Sequence, residues 1–106
     1  MELTVEITHD GGVDTLRIGG EIDLATVGQL EDALGRLRAR RLVIDLREVG
    51  FMDSSGLHAL LRVREAQGDD GQTRLLIRRS GPVGLLLEMA GVADRFIVDE
   101  DGSSPA

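Results

Sequence analysis

Val49-Gly50-Phe51-Met52-Asp53-Ser54-Ser55-Gly56-Leu57 is the stretch on which the fold turns. Ahead of it, Leu42-Val43-Ile44-Asp45-Leu46 is a nearly unbroken apolar run, as in a strand covered on both faces. Behind it, Leu57, Leu60 and Leu61 begin a helical spacing. A strand therefore hands over to a helix here. Two adjacent hydroxyls, flanked by an acid and a glycine, sit at the handover. Such a place offers unpaired backbone N–H groups and a partial positive charge, both of which suit a phosphoryl group. Ser55 is read as a phosphorylation switch on a small binding module.

Upstream, Leu3, Val5 and Ile7 alternate with Glu2, Thr4, Glu6 and Thr8, the pattern of a half-buried strand. His9-Asp10-Gly11-Gly12 supplies a turn, and Val13 to Ile18 reads as the second strand of an antiparallel hairpin that Gly19-Gly20 ends. Asp23 is the expected N-cap of a first helix. Leu24, Val27, Leu30, Leu34 and Leu37 form its apolar face, out to about Arg40. Arg36, Arg38, Arg40 and Arg41 then lie at its C-terminal end, where cations favour the helix dipole; a docking patch is the alternative use.

Downstream, the second helix is expected from Ser54 or Ser55 to Gln67, followed by a turn at Gly68-Asp69-Asp70-Gly71. Arg74 to Arg78 reads as a strand with Leu75, Leu76 and Ile77 in the core. Pro82 opens a third helix, Leu85, Leu86, Met89 and Ala90 carry its period, and Gly91 closes it. Met89 is read as core filler. Phe96-Ile97-Val98 makes the last strand. The order β-β-α-β-α-β-α-β predicts an α/β fold with a mixed sheet, parallel crossovers and flanking helices. Residues 1–98 form one domain, and 99–106 are an acidic, then small and polar, tail expected to be disordered.

Bulk properties narrow the function. With 106 residues and 42% hydrophobic content the chain can build one modest core. Phe51 and Phe96 are its only aromatics, so it has no platform for stacking bases. A net charge of −7 argues against nucleic-acid binding. With no cysteine, disulfides and thiolate chemistry are excluded. No apolar stretch approaches the roughly 20 residues of a membrane span, and the N-terminus is unlike a signal peptide, so a cytoplasmic location is expected.

At the serines, Ser or Asp can simply cap the first turn. Gly56 points beyond capping, because glycine there costs about 1 kcal/mol against alanine unless something requires a bare backbone, such as a partner surface or a kinase cleft. Phe51 and Met52 are core or a partly exposed apolar rim. A phosphoryl group on Ser55 would carry about −1.5 to −2 charges. The helix end would favour it by about 0.3–1 kcal/mol, while Asp53 and Asp23 would oppose it. Inside the domain these nearly cancel, so the effect must fall on an interface, where a poorly compensated buried charge is costly.

Three segments in order, Gly20-Glu21-Ile22-Asp23-Leu24-Ala25-Thr26, Leu42-Val43-Ile44-Asp45-Leu46 and Phe51-Met52-Asp53-Ser54-Ser55-Gly56-Leu57, resemble the STAS family, and within it the bacterial anti-sigma-factor antagonists. The likeness runs from about Leu3 to Val98 and includes Met89-Ala90-Gly91-Val92. It implies a partner, an anti-sigma factor that is itself a serine kinase. The unmodified antagonist binds this kinase and frees a sigma factor for transcription. The kinase uses ATP and Mg²⁺ to phosphorylate the second serine, here Ser55, and a PP2C-type phosphatase reverses the step. Asp53, Ser54 and Gly56 match the motif around that serine, and Asp23 matches an acidic position near it. His58 takes no role from the resemblance. Relatives often continue into a further helix after the last strand, whereas this chain turns acidic at Asp99. The chain itself is expected to need no cofactor and to be a monomer or weak dimer.

Catalysis is rejected. Ser55 and His58 share a helical spacing but lack an orienting third group and a Gly-x-Ser-x-Gly elbow. The carboxylate runs Asp69-Asp70 and Asp99-Glu100-Asp101 lack calcium-loop spacing. The alternative role is that of a STAS scaffold or accessory subunit, in a stressosome or a lipid-transport complex.

Overall fold

The computed structural model describes residues 2–68 and 71–100. Five strands form one sheet in the order β1-β2-β3-β4-β5. They are β1 Thr4–Asp10, β2 Val13–Ile22, β3 Arg41–Met52, β4 Gln72–Ile77 and β5 Ile97–Glu100. β1 and β2 are the expected antiparallel hairpin, and β2, β3, β4 and β5 run parallel. Three helices make the crossovers: α1 Val27–Leu34, α2 Ser54–Gln67 and α3 Pro82–Ala90. Each crossover moves one strand further in the same direction, so the right-handed rule gathers the helices on one face. This is the mixed α/β architecture expected from the sequence.

The core lies between that face and the helices. Leu16 and Ile18 of β2, Ile44 and Leu46 of β3, and Leu75 and Ile77 of β4 meet Leu30 of α1 and Leu57 and Leu60 of α2. The opposite face carries ion pairs. Arg47 grips Asp45 at 2.7 Å, Arg17 lies between Asp45 and Glu6, and Arg74 holds Asp99 at 2.7 Å.

Several local expectations are corrected. β2 does not stop at Gly19-Gly20 but runs on to Ile22. Gly20 absorbs the irregularity, with φ +107 at a register shift against β3. β3 likewise continues from Leu46 to Met52. α1 begins at Val27 and ends at Leu34, so it is shorter than its leucine period. Leu24 is 81% exposed, and Leu37 is buried from the loop beyond the helix. The arginine cluster therefore lies past α1, where Arg38 donates to the carbonyls of Gly35 at 2.6 Å and Leu37 at 3.0 Å. Met89 is not core filler. It is 85% exposed, and α3 buries Val83, Gly84 and Leu87 instead of Leu85 and Met89. β5 carries the chain to Glu100, past the boundary at 98; residues 101–106 and the turn residues Asp69-Asp70 lie outside the described residues.

Candidate functional site at the carboxyl ends of β2 and β3

Parallel α/β sheets place their crevices beyond the carboxyl ends of the strands. Here β2 and β3 end side by side, with Ile22 opposite Met52. Asp53 N–H donates to the Ile22 carbonyl at 3.1 Å, which ties the β3–α2 corner to the β2–α1 loop. Asp23 and the serine motif, distant in sequence, are thereby brought to one end of the sheet.

The β2–α1 loop is a knot of short hydrogen bonds. Thr26, 1% exposed, donates its hydroxyl to the Glu21 carbonyl at 2.7 Å and accepts Asp23 N–H at 3.0 Å. The Asp23 carboxylate takes Ala25 N–H at 2.9 Å and Thr26 N–H at 3.2 Å. Asp23 thus caps one turn ahead of the helix, and Thr26 occupies the N-cap position of α1. This corrects the assignment of Asp23 as N-cap. The turn holds Leu24 out into solvent.

At the β3–α2 corner Asp53 is the N-cap in extended conformation, and α2 starts at Ser54. One carboxylate oxygen, Asp53 Oδ1, accepts Ser55 N–H at 2.9 Å and the Ser55 hydroxyl at 2.5 Å. The Ser55 hydroxyl holds the Asp53 carboxyl below the usual carboxylate range, against opposing desolvation, with further help from backbone N–H groups. Asp53 is therefore ionised at neutral pH. Ser54 is exposed and Ser55 half-buried at the open end of the helix.

Gly56 differs from its sequence reading. It is buried, and a Cβ there would lie 2.7 Å from Ile22 Cγ2, 2.7 Å from Met52 Cγ and 2.9 Å from Met52 Sδ. The bare backbone serves the packing of α2 on the ends of β2 and β3. Met52 is core, while Phe51 is 46% exposed at the rim. His58 is exposed, and Ser55 Oγ is committed to Asp53, so no Ser–His pair forms among the described residues.

Sequence reasoning missed Thr26 as the organiser of the first loop and Leu24 as an exposed apolar residue. The spacing Asp23-Leu24-Ala25-Thr26 did carry a signal, since Asp and Thr three apart can close a turn on each other's backbone. No helix among the described residues is long and apolar enough to cross a membrane, and no metal-binding cluster occurs among them.

A family model described as STAS domain matches residues 4–102. The chain is 30% identical over 103 residues to the anti-sigma-B factor antagonist of Staphylococcus aureus, covering 94% of this chain and 95% of that protein. It is 32% identical over 96 residues to the anti-sigma F factor antagonist of Paenibacillus polymyxa, covering 87% and 82%. Among solved structures, an anti-sigma factor antagonist from Mycobacterium paratuberculosis matches with a TM-score of 0.83 at 28% identity, over 91% of this chain and 84% of that one.

Proposed function

The chain belongs to the STAS domain family, and from that premise we propose that it acts as an anti-sigma-factor antagonist whose docking is switched at Ser55. In this reading the unmodified protein binds an anti-sigma factor that is a serine kinase and so releases a sigma factor. The kinase, with ATP and Mg²⁺, phosphorylates Ser55, and binding is lost until a PP2C-type phosphatase restores the hydroxyl. The protein is a phosphoryl acceptor in the cytoplasm, working through contact with its partner. The names of its relatives support the antagonist role.

The observation that carries the reading is the place of Ser55. Its hydroxyl lies at the open N-terminus of α2, beside the Asp23 loop, with Leu24 and Phe51 supplying exposed apolar surface at the same end of the sheet. A partner seated there would cover Ser54, Ser55 and the acids Asp23 and Asp53. A dianion added at Ser55 would face Asp53, already ionised, and would lose its water on docking. Breaking the balance of a buried charged contact costs about 3–5 kcal/mol, or two to three decades or more in affinity. The helix end returns about 0.3–1 kcal/mol. The interface loses while the fold holds.

The test begins with capture of the partner kinase on the immobilised protein from a lysate of the native organism, without ATP. Incubating the purified pair with ATP and Mg²⁺ should add one phosphate, on Ser55, and disperse the complex. Ser55→Ala should bind and stay bound; Ser55→Asp should bind more weakly and remain folded. Phosphate found only on Ser54 or on the buried Thr26 would contradict the assignment, as would equal affinity of the phosphorylated and native proteins.

A further inference from the structure

At the end of the sheet opposite the serine corner, α2 runs out over the amino ends of β4 and β5. A cavity of about 250 Å³ lies there, lined by Arg64 and Gln67 of α2, Thr73 of β4, and Asp94, Arg95 and Phe96 just ahead of β5. The 14 residues of α2, roughly 20 Å at about 1.5 Å per residue, separate it from Ser55. Thr73 marks the place. Along β4 the buried alternate positions are Thr73, Leu75 and Ile77. Thr73 is 5% exposed, it stands opposite the buried Leu42 of β3, and its hydroxyl has no hydrogen-bond partner among the described residues. A buried hydroxyl with nothing to bond weakens a fold, and valine has the same shape without that cost. Packing alone gives no reason for threonine here, whereas a ligand in the cavity does.

The other lining groups say what kind of ligand. Gln67 spends its amide nitrogen on the Ala39 carbonyl at 3.4 Å, and its Oε1 is buried and unpartnered among the described residues. Arg64 donates Nε–H to the Arg95 carbonyl at 2.7 Å, which ties α2 to the turn before β5. The rest of that guanidinium, the guanidinium of Arg95 and the Asp94 carboxylate are engaged by no described residue. Guanidiniums take carboxylates through paired N–H bonds. The Thr73 hydroxyl adds a further donor, while Asp94 and Gln67 Oε1 only accept and so ask for a ligand N–H. Two guanidiniums against one carboxylate leave positive charge in excess among the described lining residues. Phe96, buried, gives the cavity an apolar wall. We propose that this cavity binds a small acidic amino acid. Its carboxylates lie on Arg64, Arg95 and the Thr73 hydroxyl, and its ammonium lies on Asp94 and Gln67 Oε1. The site is independent of the phosphoryl-acceptor reading of Ser55 and is testable on the protein alone.

Calorimetric titration of the full chain with L-aspartate and L-glutamate, and with succinate and glutarate as their amine-free counterparts, tests the proposal. At least one of the amino acids should bind, and should raise the urea midpoint as a ligand of the folded state does. Its amine-free counterpart should bind about tenfold more weakly or worse, since Asp94 and Gln67 Oε1 then lose their donor. Thr73→Val and Arg95→Gln should each weaken binding by about tenfold or more. Thr73→Val should also raise the urea midpoint of the ligand-free protein, because it removes the orphan hydroxyl; a threonine held only for structure would lower it. No binding of either amino acid at millimolar concentration would overturn the proposal. So would equal binding of an amino acid and its amine-free counterpart, which is general attraction of anions, or undiminished binding to Thr73→Val.

Discussion

Gly56 shows how one residue can be read as constrained while the neighbours that constrain it stay out of sight in the sequence. Glycine in the first turn of a helix is costly, so a reason must exist. The reason is Ile22 and Met52, against which a Cβ would press at 2.7 Å. Gly56→Ala should therefore destabilise the protein despite alanine's better helix propensity. Overpacking costs about 1–3 kcal/mol, and propensity returns at most about 1 kcal/mol. A lowered urea midpoint with unchanged slope would show it; a raised midpoint would mean that the corner repacks freely. At this scale Asp53, Ser54 and Ser55 were legible in the sequence, because capping chemistry is local. Gly56's neighbours were not, because Ile22 lies on another strand.

The elements were legible in kind and order but less so in extent. The leucine period from Leu24 to Leu37 passes straight through both true ends of α1, since hydrophobic spacing cannot see a turn closed by hydrogen bonds. The start is set by Thr26, whose buried hydroxyl satisfies Glu21 and Asp23 together. Thr26→Val keeps the shape and leaves both backbone groups unpaired, so it should cost about 1–3 kcal/mol in urea unfolding. Beyond the other end, Asp14 of β2 anchors the loop that leads into β3. Its carboxylate takes Arg38 N–H at 2.7 Å and Ala39 N–H at 3.0 Å, and pairs with His9 at 2.6 Å. Those two backbone N–H groups, with His9 contributing less, lower its pKa from 3.8 to about 2. The folded value lies below the unfolded one, so this stabilisation is complete above 3.8 and is lost as pH falls toward about 2. Asp14→Asn should unfold at lower urea at neutral pH and show a flatter stability profile across that acidic window. Profiles of equal slope would remove Asp14 from the anchor.

At the scale of the whole molecule, helices on one face leave the other to ion pairs, and apolar side chains that fit neither layer become informative. The sequence could not announce them: Leu24 continues the leucine period of α1 and Met89 that of Leu85 and Leu86, and exposure is decided by where a loop or helix docks. Leu24, 81% exposed beside the serine corner, lies on the surface that the switch is proposed to control. Leu30, fully buried in α1 on the same leucine period, belongs to the fold alone. The two leucines should therefore respond in opposite ways. Leu30→Ala should cost about 2–5 kcal/mol of stability. Leu24→Ser should change stability by less than about 0.5 kcal/mol, yet weaken capture of the proposed partner kinase by about tenfold or more, as loss of a central apolar contact does. If Leu24→Ser bound as tightly as the native chain, the docking surface would have to lie off the β2–α1 loop, and the acid-flanked serine would need another route to control it.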